Sequence, residues 1–198
     1  FGYDAMGRVS QINHPTGDTV AWAPTTIAFT KVAAAEYGIA AGHWREIVST
    51  GNARRETYFD ALWRPLLVRE YDAANVAGTS RYTVQGYDHE GRPSFSAYPM
   101  ASLASVAGAT QGVWTLDDAL GRPTSVGQDS DGPEVLVSYT NYLPAFETQT
   151  VNPRGHATLT RFQACDSPEG AAPVTILSPE GQRTTLVRDV FGRTLSMT

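Results

Sequence analysis

An all-β fold of antiparallel, meandering hairpins is the expectation from three observations: a turn signature that recurs along the chain, segments whose apolar residues alternate, and a turn-rich composition. The 198 residues include 18 Gly, 12 Pro and 9 Tyr, together with many Thr and Ser, and this mixture favours short strands joined by turns over helices. The chain is long enough to bury a substantial core.

The turn signature opens the chain as Tyr3-Asp4-Ala5-Met6-Gly7-Arg8. It returns as Tyr87-Asp88-His89-Glu90-Gly91-Arg92, as Asp117-Asp118-Ala119-Leu120-Gly121-Arg122 and as Arg188-Asp189-Val190-Phe191-Gly192-Arg193, so four copies share Asp-x-x-Gly-Arg. Two degenerate copies lie between them. Phe59-Asp60-Ala61-Leu62-Trp63-Arg64 has Trp in the Gly position, and Tyr71-Asp72-Ala73-Ala74-Asn75 has Asn there and lacks the Arg. The physical reason for the signature is local. The Asp carboxylate accepts hydrogen bonds from the backbone just ahead, the next two residues form a type I turn, and Gly takes the left-handed conformation that closes a bulged hairpin. Gly7, Gly91, Gly121 and Gly192 are therefore predicted to have positive φ. Tyr ends the incoming strand, and Arg begins the outgoing one within reach of Asp or an aromatic face.

A second element, Pro-x-Gly, appears at Pro15-Thr16-Gly17, Pro153-Arg154-Gly155 and Pro179-Glu180-Gly181 and reads as the opposite turn of the meander. The aspartates at 4, 60, 72, 88, 118 and 189 are irregularly spaced, which excludes a solenoid of one fixed period.

Between the turns, several segments alternate as half-buried strands do: Val20 and Trp22; Tyr82 and Val84 among Arg81, Thr83 and Gln85; Val135, Val137 and Tyr139 among Leu136 and Ser138. His43 to Thr50 and Ala53 to Phe59 form a further hairpin across Gly51-Asn52. The Ala-rich segments within 27–43 and 99–113 carry no tip signature and are read as loops, insertions or a short helix in a single repeat region spanning 1–198.

Tyr-Asp-x-x-Gly-Arg copies interleaved with Pro-x-Gly on a Gly-, Thr- and Tyr-rich chain resemble the Rhs or YD repeat of bacterial polymorphic toxins, insecticidal toxin-complex shells and animal teneurins. The resemblance runs from Tyr3 to Arg193. It implies a curved β-ribbon, a segment of a hollow shell that in the bacterial toxins encloses a toxin domain, and hence a secreted or cell-surface protein. It also implies partners: further repeats of the same longer chain or self-association. Only Tyr3 and Tyr87 head complete copies, so the other turns are expected to be remodelled. The family's Asp-Pro-x-Gly self-cleavage region has no match, since Asn152 and Ser178 stand where the Asp would be. The chain starts at Phe1, close before a tip, and ends at Thr198, close after one. Both ends are accordingly expected to be uncapped and open to pairing.

The residues point away from catalysis. His14, His43, His89 and His156 are isolated from one another, no paired-carboxylate or nucleophile motif is legible, and the repeat aspartates are accounted for as turn formers. No cofactor or metal is implied: Asp129-Ser130-Asp131-Gly132 has Thr140 where a calcium loop needs Glu, and reads as a hairpin turn. Cys165 is the only cysteine, which rules out an intrachain disulfide. The formal charge of −5 and pI of about 5.3, with no basic run, disfavour nucleic acid. No apolar stretch is long enough to span a bilayer as a helix. The rival class is a surface binding module for a glycan or a protein, for which Trp22, Trp44, Trp63 and Trp114 are the candidate aromatics; an exposed cluster of two or more would favour it, and burial between strands would favour a scaffold.

Overall fold

The computed structural model describes residues 1–15, 22–163 and 172–198, which form an all-β, antiparallel meander with one short α-helical turn. Val20, Cys165, and Thr16 and Gly17 of the first Pro-x-Gly element lie outside the described residues. The chain divides into two compact units, Phe1–Gly112 and Val113–Thr198.

In the first unit β1 (Gly2–Tyr3), β2 (Val9–Ile12), β3 (Thr25–Lys31), β4 (Trp44–Thr50), β5 (Ala53–Phe59), β6 (Pro65–Asp72), β7 (Arg81–Tyr87) and β8 (Pro93–Ala97) each pair with the next, antiparallel throughout. The helical turn α1 (Val76–Thr79) connects β6 to β7. The second unit repeats the scheme with β9 (Gly112–Asp117), β10 (Pro123–Asp129), β11 (Val135–Leu143), β12 (Glu147–Val151), β13 (Ala157–Phe162), β14 (Pro173–Leu177), β15 (Arg183–Arg188) and β16 (Thr194–Met197). In such a meander successive connections fall on alternate edges of the sheet. The turns at Asp4, Asp60 and Asp88 therefore share one edge of the first unit, and those at Asp118 and Asp189 share one edge of the second. The Pro153 and Pro179 turns lie on the opposite edge of the second unit, as the sequence predicted.

Strand register sorts the side chains of the first unit into two faces. Arg45 lies across from Tyr58, Tyr58 from Leu67, and Leu67 from Val84. On this face Tyr58 and Leu67 are fully buried, and Tyr82 and Val84 nearly so, as expected from their alternation with Arg81 and Thr83. What covers the face is the chain's own loops. Ile39 and Ala109 complete the apolar cluster, with Tyr37, Met100, Leu103 and Val106 packed against it. The two loops are joined where Val106 N–H donates to the Tyr37 carbonyl at 2.9 Å.

The loops are shorter than the spans suggested by the sequence. Ile27 to Lys31 belong to β3, where half-buried Ile27 and Phe29 alternate with exposed Ala28 and Thr30, and residues 112 and 113 belong to β9. Residues 32–43 do leave the sheet, and they close on a two-residue hairpin with Tyr37 at φ 51° and Gly38 at φ 75°. Met100 pairs with Tyr82. These segments are covering structure that builds the core.

In the second unit none of the described apolar side chains is fully buried. The β11 strand forms as expected and its turn at Ser130 is the expected hairpin, but Val135 and Tyr139 are 46% and 51% exposed. Alternation set the strand, while burial requires a covering layer that the described residues of this unit do not supply. Trp22 was expected in a strand; it precedes β3 and is exposed.

Candidate functional site

The predicted tip residues form a repeated structure, which we call the staple. In the first copy Gly7 N–H donates to the Asp4 carbonyl and Asp4 N–H to the Arg8 carbonyl, closing a turn whose Gly7 has φ 77°. Asp4 Oδ1 accepts from the backbone N–H groups of Met6 at 2.9 Å and Arg8 at 3.0 Å, and Oδ2 accepts from Arg8 Nε at 2.7 Å. The same bonds recur with Asp60 and Arg64, Asp88 and Arg92, Asp118 and Arg122, and Asp189 and Arg193. Gly91, Gly121 and Gly192 have φ of 87°, 75° and 78°, as predicted.

The electrostatics follow from this geometry. Backbone and side-chain hydrogen bonds from Arg8 and Arg122 hold the Asp4 and Asp118 carboxyls below the usual carboxylate range. At Asp60, Asp88 and Asp189 partial burial pushes upward, and the same hydrogen bonds outweigh it. Each of these carboxylates has both oxygens engaged by the turn, so none is placed to act as a base or a metal ligand.

Three of the five staples also tie one strand to the next. The Arg64 guanidinium lies 4.3 Å above the Tyr87 ring, Arg122 lies 4.0 Å above Tyr142, and Arg8 lies 4.6 Å above Phe29. In two of these the phenol also donates to a proline carbonyl at the start of the preceding strand: Tyr87 to Pro65 at 2.8 Å and Tyr142 to Pro123 at 3.1 Å. Arg188 stands where Tyr is expected and does the same through Nε to Pro173 at 2.7 Å. The sequence reading missed Phe29 and Tyr142, because each lies a full strand away from its Arg.

The degenerate copies divide. Trp63 keeps the turn intact and takes φ 64° itself. Asp72 only starts it: Oδ1 accepts from Ala74 N–H, but Asn75 stays at φ −146° and caps α1. Tyr71-Asp72 is therefore not a tip, because Asn75 feeds a helical turn and Val76 supplies no guanidinium. Conversely, Asn152 and Ser178 build the same backbone turn on the opposite edge. Asn152 Oδ1 accepts from Arg154 and His156 N–H, Ser178 Oγ accepts from Gln182 N–H, and Gly155 and Gly181 are left-handed. Asn-Pro-x-Gly and Ser-Pro-x-Gly were the available signals.

Of the four candidate tryptophans, two come together. On the face of the first unit opposite the core, Trp44 stacks on Phe29 with centroids 5.0 Å apart, and Trp63 reaches over from its tip to lie 5.4 Å from both. Phe59 completes the cluster. Trp63 remains 54% exposed. Trp22 stands apart, 6.3 Å from the His14 ring, and Trp114, in the second unit, packs on Gly127.

The histidines serve separate local roles. His14 bonds Thr25 Oγ1, His89 and His156 sit on exposed tips, and buried His43 bonds the Ala40 carbonyl. Under the loops, Glu56 is buried and accepts from the Tyr58 and Tyr71 hydroxyls, both at 2.9 Å. Burial, with the nearby Glu56 carboxylate, pushes the Tyr58 and Tyr71 phenols up, so both remain donors. Among the described residues no group of three or more His, Cys, Asp or Glu is placed to hold a metal ion. No helix among them is long and apolar enough to cross a membrane. No protein-family model matches the chain, and no curated protein does.

Proposed function

We propose that this chain is a non-catalytic structural segment of a wall built from Rhs/YD-type repeats, in a secreted or surface-exposed protein whose wall encloses a toxin or effector domain. The observation that carries the reading is the staple. In five copies the recurrent Asp and Arg of the signature are spent on holding hairpin tips together, and in three of them the Arg also ties the tip to its neighbour strand through an aromatic ring. A sheet extended in this way gains stability copy by copy from local interactions. Among the described residues β1 and β16 each pair on one side only, which leaves sheet edges able to take further repeats of the same chain or a second copy.

Sedimentation velocity over a concentration series tests the reading. The chain should associate as concentration rises, and charging the outer strand with Leu195→Lys and Met197→Lys, both at exposed positions, should suppress that association. A strictly monomeric chain at all concentrations, or turnover of any substrate abolished by one substitution at His14, His43, His89 or His156, would refute it.

A further inference from the structure

We infer that a cavity in the second unit captures the carboxylate end of a peptide whose last residue is aliphatic, a function separate from the wall. The cavity, of about 250 Å³, is lined by Glu147, Leu159, Arg161, Thr175, Leu177 and Arg183. These residues come from the four strands β12 to β15, and register explains why they meet. Glu147 lies across from Arg161 and Arg161 from Thr175; two residues along the same strands, Leu159 lies across from Leu177 and Leu177 from Arg183. Directly paired residues share a face, so two adjacent rows build one wall each. The volume falls just below the roughly 300–1,000 Å³ of sites for drug-sized ligands, which suits a single residue.

The two arginines supply the anion recognition. Arg183 is exposed, and its guanidinium has no protein partner among the described residues. Arg161 meets Glu147 through Nε at 3.6 Å, which leaves its terminal N–H groups to donate. The two stand on strands two apart, about 9–10 Å, so their long side chains reach a group held between them from both sides. A carboxylate accepts from such planar donors in pairs.

The other lining residues narrow the ligand. Leu159 and Leu177 present apolar surface between the arginines, and Leu177 is 38% exposed, so the site has a place for an aliphatic side chain that a bare inorganic ion leaves wet. Glu147 reduces the charge of the cavity to one net positive, which matches a single carboxylate and repels the second charge of a phosphate dianion. Its carboxylate also accepts N–H, a donor that the last residue of a peptide carries and a fatty acid lacks. The Thr175 hydroxyl, without a protein partner among the described residues, is left to donate to the preceding peptide carbonyl.

The test titrates the whole chain with acetyl-Ala-Ala-Leu, its C-terminal amide, octanoate and inorganic phosphate, read by calorimetry and by the methyl NMR signals of Leu159 and Leu177. The free-acid peptide should bind saturably and shift both sets of methyls, and its amide should bind about tenfold more weakly or worse. Arg183→Gln removes a guanidinium that has no protein partner, so it should weaken the acid about tenfold or more while leaving the unfolding midpoint unchanged. No saturable binding of the acid, an amide that binds equally well, or full affinity in Arg183→Gln would overturn the inference. Octanoate or phosphate binding as tightly as the peptide would overturn it too, by showing a fatty-acid or a simple anion site. None of these outcomes bears on the association that tests the wall.

Discussion

Replacing Gly121 by L-alanine separates the handedness of a tip from its packing. A Cβ built at Gly121 meets nothing within 4 Å, while φ is 75°, so only the backbone conformation resists the change. Holding an L-residue in the left-handed region costs about 1–2 kcal/mol. Alanine also restricts the unfolded chain, which returns about 0.4–1 kcal/mol. The net loss is thus between about 0 and 1.6 kcal/mol. D-alanine at the same position favours positive φ and keeps the unfolded-state gain, so it should stabilise by about 0.4–1 kcal/mol. The assay is urea unfolding of the second unit followed by the Trp114 indole N–H resonance. With a slope of about 2 kcal/mol/M, L-alanine should lower the midpoint by up to about 0.8 M and D-alanine should raise it by about 0.2–0.5 M. Equal effects of the two enantiomers, or a stabilising L-alanine, would show that the tip is not a left-handed glycine turn. Gly7 and Gly192, equally open, should repeat the result.

Leu67→Ala empties a fully buried site between Tyr58 and Val84 and should cost about 2–5 kcal/mol by thermal unfolding; a cost under about 1 kcal/mol would place the core elsewhere. Gly127→Ala drives a methyl into the Trp114 indole and should destabilise the second unit by about 1–3 kcal/mol, with Trp114→Ala restoring part of it; absence of rescue would mean that the two do not touch. The five stapled aspartates have folded pKa values below the ordinary 3.8. Their contribution is therefore complete above that pH and is lost as pH falls through the lower folded values. Denaturation midpoints should decline in that acid window, and Asp118→Asn with Asp189→Asn should flatten the decline; a slope unaffected by both changes would contradict the staple.

What was legible in the sequence is what a few consecutive residues decide. The four glycines are left-handed because Asp-x-x-Gly carries its own hydrogen-bond donors and acceptors, and Tyr82 and Val84 are buried because their alternation marks one face of a strand. The covering loops were not legible. Tyr37, Ile39, Val106 and Ala109 show no periodicity, and their burial is created by strands distant in sequence. Alternation likewise promised burial for Val135 and Tyr139, but a periodic strand states only which residues share a face. The aromatic cluster was half visible. Trp44 and Trp63 were singled out, whereas Phe29 joined them only through the register of β3 on β4.

Keeping every stapled tip of a unit on one edge has a consequence for how such a sheet can change its length. Between successive staples the first unit inserts four strands and then two, and the second inserts six. All are even numbers, although the residue spacings look irregular. Adding or deleting a single strand would reverse the chain's direction and carry every later staple to the other rim, away from the proline carbonyls and rings that receive it. Material can therefore enter or leave such a sheet only as whole hairpins, and the number of residues in each hairpin is free to drift while the count of strands is not.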